Sequence, residues 1–315
     1  MVQEEQQQDW KAWITLAILA LVWGSSFILI KKTLVTYNAV ETGSLRIFIA
    51  FLGLSPLLMR QIKKIPWHKW KYLLIVCLAG TGFPVFLFAN AQTVLPSSLT
   101  GILNSTVPIF TLLLGLLVFR VPMRTNAVIG VLVGFAGATL ILTGGDQGIA
   151  VDKNALYGVL VLLAAFCYAT SMNTIKRHLN EVDSISIASS TFLLLGPLTG
   201  IYLFGFSEVP TKTIEVQGAW RSLAAVSLLA IVGTFLAKII FFKLVQRTDA
   251  VFSSMVTYMI PIVALFWGWL DGEQIVWLHL LGMALILMAV YLVRKRQRKK
   301  TQKVQPGQEV APANN

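Results

Sequence analysis

The sequence predicts an all-α polytopic membrane protein of ten transmembrane helices, arranged as two inverted five-helix repeats. Three observations predict it. The 315-residue chain is 56% hydrophobic and only 13% charged, with a mean hydropathy of +0.72, against about 25% charged residues in an ordinary soluble domain. Its apolar residues fall into ten runs of about 17 to 25 residues, the length that crosses a bilayer. A stretch of the first half recurs in the second at a fixed displacement.

The ten runs span 12–30, 42–59, 72–89, 94–119, 127–143, 155–175, 185–206, 223–242, 251–270 and 275–293. Eight contain no Asp, Glu, Lys or Arg; the exceptions carry Arg46 and Lys238. The polar connections are too short to supply the covering layers that a soluble protein needs. The runs do not alternate as membrane barrel strands do. A coiled coil, a disulfide scaffold and a disordered chain are excluded by the same composition. The two cysteines, Cys77 and Cys167, sit in apolar runs and are expected as reduced core thiols.

A net charge of +12 would suggest a polyanionic partner in a soluble protein. Here the bilayer is the expected partner, nucleic acid is not, and the charge sets orientation. With both termini in the cytoplasm, 19 of the 26 Lys and Arg residues fall inside, five fall outside and two lie within spans. No cleavage site follows the first run, so that helix is expected to stay in the protein. The expected organisation is a cytoplasmic N-terminal tail (1–11), a first five-helix repeat (12–143), an external linker (144–154), a second repeat (155–293) and a basic, disordered cytoplasmic tail (294–315).

Shifting residues 80–120 by 153 positions lays them without gaps on 233–273, with Gly80 on Gly233, Thr81 on Thr234, Pro108 on Pro261, Leu112 on Leu265 and Gly115 on Gly268. A shift of 145 lays 23–32 on 168–177, an aromatic at the start and a basic pair at the end of both. Each unit has five spans, an odd number, so the second inserts upside down relative to the first. Inverted repeats are common in secondary transporters, whose substrate site lies near the midplane between the halves.

These residues resemble the EamA family of the drug/metabolite transporter superfamily across residues 12–293. The resemblance rests on Trp23-Gly24-Ser25-Ser26-Phe27, on Arg46, and on the polar approach to Pro108 and its repeat at Pro261, followed by Glu273. It implies a bacterial inner-membrane permease with ten helices, often an exporter of amino acids or other small metabolites. One departure is Arg120, where the family commonly carries an acidic residue.

Thr100, Asn104, Pro108 and Thr111 follow one another at helical spacing and share a face; Ser253, Thr257 and Pro261 repeat the pattern. Each proline lacks an N–H and frees the carbonyl four residues back, so both faces are expected to point inward. They either line a cavity, with Asn104 as the leading candidate, or act as helix-packing glue. Trp23 lies about 16 Å along its helix from Ala12, at mid-membrane depth. It, Ser26 and Tyr168 are cavity candidates, with Asn90 at the mouth and Tyr258 beside Thr257. Arg46 lies about 6 Å inside its span, where it can bind a carboxylate, seal a gate or snorkel to the headgroups. Lys238 is expected to snorkel.

The three histidines, His68, His178 and His279, are far apart, and neither a metal site nor a cofactor is expected. No Walker-type loop for ATP is present. The leading reading is a secondary transporter of a small molecule working by alternating access. A channel or membrane scaffold is the alternative, and a membrane-embedded enzyme a more distant one.

Overall fold

The computed structural model describes residues 2–95, 97–120, 125–143 and 151–270, with scattered positions between 277 and 292. The expected tenth span and the basic tail therefore lie largely or wholly outside the described residues, as does most of the linker. Among the described residues every regular element is helical. Five helices are long and apolar enough to cross a membrane: Trp10–Thr33, Trp67–Ala91, Tyr157–His178, Ser184–Gly205 and Ala219–Arg247. Shorter apolar helices accompany them, among them Asn104–Leu117 and Ala250–Val263.

In the first half, α1 is Val2–Thr33 and α2 is Ala39–Gln61. The third span is α3 (Trp70–Cys77), a π-turn at Leu78–Gly82 and α4 (Phe83–Ala91). The fourth is α5 (Ser97–Leu103), a 3-10 turn at Asn104–Thr106 and α6 (Val107–Leu117), and the fifth is α7 (Thr125–Thr143). The second half repeats this order. Long helices α8 (Val151–His178) and α9 (Ser184–Gly205) come first, followed by the short α10 (Val209–Glu215). Then α11 (Ala219–Leu228), a π-turn at Leu229–Leu236 and α12 (Ala237–Arg247) form one span, and α13 (Ala250–Ser254) with α14 (Val256–Leu270) the next.

The duplication is visible in the packing. α2 lies along α9, its own counterpart; α1 packs on α14 as α8 packs on α6; α8 also packs on α3 as α1 packs on α11. Every pairing crosses from one repeat to the other. Both π-turns fall at the glycines that the 153-residue shift superimposes, and both glycines are tight. A Cβ on Gly80 would lie 2.5 Å from Ser171 Oγ, and one on Gly233 would lie 3.0 Å from Ser26 Oγ. The 145-residue shift carries Ser26 onto Ser171, so one serine-on-glycine contact is made twice.

A break precedes Pro108, whereas Pro261 lies inside the continuous α14, and the freed carbonyls find different partners. The 3-10 turn before Pro108 lets Val107 N–H reach Asn104 O. Thr257 O, freed by Pro261, accepts from Ser105 Oγ of the other repeat at 3.1 Å.

Segments assigned to the same side of the membrane meet each other. At one end Lys212 on α10 binds both oxygens of the buried Glu41 at 3.0 Å, and Tyr37 shares a hydrogen bond with Thr213. Glu41 and Asn38 cap α2 reciprocally, side chain to backbone, at 2.8 and 2.9 Å. At the opposite end Lys69 donates to His178 O, and Tyr72 stacks on His178 with centroids 4.0 Å apart. Cys77 is buried and Cys167 half-buried, and both are free thiols.

Candidate functional site

A cavity of about 60 Å³ lies between the repeats, room for on the order of five ordered waters. Its wall is made in pairs. Trp23 on α1 and Tyr168 on α8 face it, as do Phe27 and Met172, and Asn104 and Thr257. Members of the first two pairs are related by the 145-residue shift and those of the third by the 153-residue shift. Ser26, Ile30, Phe88, Phe241, Val256 and Ile260 complete the uncharged lining.

The π-turns fix two of these side chains. An extra residue in a helical turn leaves a carbonyl outside the usual ladder, and the missing glycine side chain lets a donor approach it. Trp23 Nε1 donates to Gly233 O at 2.9 Å, holding the indole across the interface, and its ring meets Phe241 edge-on at 4.9 Å. The equivalent carbonyl, Gly80 O, accepts from Lys238 Nζ. The Lys238 ammonium also sits 4.8 Å from the centre of the Tyr168 ring, which lies roughly parallel to Phe88 at 5.9 Å.

Two cations face this space. Arg46 on α2 is 7% exposed and Lys238 on α12 is 5% exposed, and both line the cavity. Arg46 Nε donates to Thr234 Oγ1 at 2.6 Å. Among the described residues no Asp or Glu lines the cavity, and neither cation makes an ion pair. Asn104 is 4% exposed, and its Oδ1 is buried without a hydrogen-bond donor. The arrangement offers positive charge, one open acceptor and aromatic surface to a small solute.

Six of the residues singled out from the sequence are brought together here: Trp23, Ser26, Arg46, Asn104, Tyr168 and Thr257. Three candidates stand elsewhere. Asn90 is not among the lining residues; its Nδ2 turns back to Phe86 O of its own helix at 2.9 Å. Thr100 is fully buried and is not among the lining residues, although it stands one α-helical turn before Asn104. Tyr258 points away from the cavity, its hydroxyl donating to Val131 O at 2.7 Å, since successive residues lie 100° apart around a helix. Pro108 and Pro261 are buried without lining the cavity. Thr111 serves packing, its hydroxyl bonding Val107 O and its carbonyl accepting from Asn173.

Lys238 corrects the sequence reading. Its nearness to the end of a span suggested snorkelling, yet it points into the bundle. A buried lysine in a membrane span is itself a signal for a functional site, and distance along one helix does not reveal which way that helix faces.

The EamA-like transporter family model matches residues 10–143 and 156–295, once per repeat. The chain belongs to the EamA-like transporter family. Among its relatives, the uncharacterized transporter YoaV of Bacillus subtilis is 27% identical over 287 residues, covering 90% of this chain and 96% of that protein. An uncharacterized transporter of Archaeoglobus fulgidus is 24% identical, covering 91% and 100%. The uncharacterized inner membrane transporter YedA of Escherichia coli K12 is 24% identical, covering 87% and 88%. A solved crystal structure superposes on this EamA-like chain with a TM-score of 0.71 at 18% identity, covering 92% of this chain and 98% of the other, a likeness of fold. A multi-pass membrane transporter is the common statement of these findings.

Proposed function

We propose that this EamA-like protein is a secondary transporter that exports small metabolites, amino acids among them, across the bacterial inner membrane by alternating access, with both termini in the cytoplasm. The observation that carries the reading is the interfacial cavity, whose wall is supplied in matched pairs by two inverted repeats. A wall shared in this way is remade when one repeat rocks against the other. The Escherichia coli relative is named as an inner membrane transporter, which supports the location.

The test is flux in proteoliposomes loaded with a panel of small metabolites. Saturable uptake with counterflow is the expected result. Flux that rises without saturation as concentration increases would replace the carrier with a channel.

A further inference from the structure

The charge balance of the cavity narrows what it can hold. Arg46 and Lys238 face the same space with no carboxylate from the described lining residues. Two like charges so deeply buried are costly unless a counter-charge joins them. Nor does the scaffold require them: the repeat shifts carry Arg46 onto Thr191 and Lys238 onto Val85, and the corresponding helices form with those uncharged residues.

The donors are only partly used. A guanidinium has five N–H donors and an ammonium three; among the described residues Arg46 spends one on Thr234 and Lys238 one on Gly80. The Asn104 Oδ1 poses the opposite problem, an acceptor that lacks a donor. A solute ammonium would satisfy it, at the expense of a third positive charge beside two. A hydroxyl satisfies it without adding charge.

We propose that the cavity selects a small monocarboxylate with a neutral hydrogen-bond donor, a hydroxy acid in preference to an amino acid. Its carboxylate is held by Arg46 and Lys238, its hydroxyl donates to Asn104 Oδ1, and its apolar body lies against Phe27 and Phe88. The inference rests on the transporter reading and narrows it to a class of solute. The cavity volume of about 60 Å³ restricts it to a small solute and excludes a nucleotide.

Four probes test it: 2-hydroxyisovalerate, isovalerate and valine on one carbon skeleton, and isobutylamine, which is valine without its carboxylate. Binding to the purified full chain in lipid nanodiscs is expected to be tightest for the hydroxy acid. Isovalerate should bind about tenfold more weakly, the worth of one hydrogen bond, valine more weakly still, and isobutylamine not at all. Arg46→Gln and Lys238→Met should each weaken the hydroxy acid at least tenfold. Asn104→Leu should bring the hydroxy acid down to isovalerate and leave isovalerate unchanged. The ranking of probes on the unaltered protein stands even if a variant fails to fold. Valine or isobutylamine binding as tightly as the hydroxy acid, or none of the four binding at millimolar concentration, overturns the proposal. Hydroxy-acid binding without saturable flux would overturn the transporter reading alone; flux of valine in preference to the hydroxy acid would overturn only the selectivity proposed here.

Discussion

Asn104 and the two π-turn glycines show how single residues set the site. Leucine has asparagine's branching and heavy-atom count, so Asn104→Leu removes the open acceptor while keeping the shape of the side chain. It is expected to cut saturable hydroxy-acid uptake at least tenfold at unchanged membrane abundance; transport at the wild-type rate would separate Asn104 from the solute. Gly80→Ala places a methyl 2.5 Å from Ser171 Oγ, an overlap worth about 1–3 kcal/mol in a packed core. The melting temperature of the purified protein should fall, and adding Ser171→Ala should recover most of the loss. A Gly80→Ala protein as stable as the parent would mean that the contact relaxes freely. Trp23→Phe keeps the aromatic surface and loses the bond to Gly233 O, so about 1 kcal/mol of stability should go with it in the same melts.

The broken helices carry a test that no single residue supplies. Ser105 Oγ satisfies the carbonyl that Pro261 leaves open, so Ser105→Ala strands a buried acceptor, at a cost of about 1–3 kcal/mol. Restoring an N–H with Pro261→Ala gives that carbonyl a partner in its own helix. The double variant should therefore melt higher than Ser105→Ala alone, and strictly additive losses would contradict this account. The same elements mark what sequence reveals. Prolines and glycines in register exposed the repeat because they are the residues least free to move. The π-turns stayed hidden, since hydropathy and spacing carry no record of which carbonyl each N–H reaches. Asn104 and Thr257 were legible as polar residues in apolar spans beside prolines. Thr100 shares a helix face with Asn104 by spacing but does not reach the lining, because spacing does not record how wide an arc of a face borders a cavity. Lys238 was misjudged because a bundle's interior, unlike a span's length, is set by the neighbouring helices.

Across the whole molecule the two halves touch at both ends, and those contacts must change if the halves rock. Tyr37 and Thr213 meet at one end. Replacing both with cysteine and joining them by a short, cleavable bis-maleimide should stop counterflow, with recovery on cleavage; continued counterflow in the linked protein would remove that end from the moving parts. The neighbouring Lys212 is subject to two opposing effects: burial lowers its pKa, and the Glu41 and Glu208 carboxylates outweigh this, leaving it raised. A lysine so raised contributes its stability fully below the unfolded value of about 10.4 and loses it as pH climbs through the folded value. Melting temperatures of the parent and Lys212→Met should differ by a constant amount from pH 7 to 9 and converge above about pH 10.4; a gap that widens there would reverse the sign. The described lining shows one further consequence. The wall is duplicated, but its charges are not, and while Arg46 occupies the Thr234 hydroxyl, the matching Thr81 hydroxyl has no partner. Exchanging the postures of the two halves would therefore not regenerate the same molecule seen from the other side. For a carrier that rocks as proposed above, the two postures would differ in energy, and a bound anion would work with or against that difference on each passage.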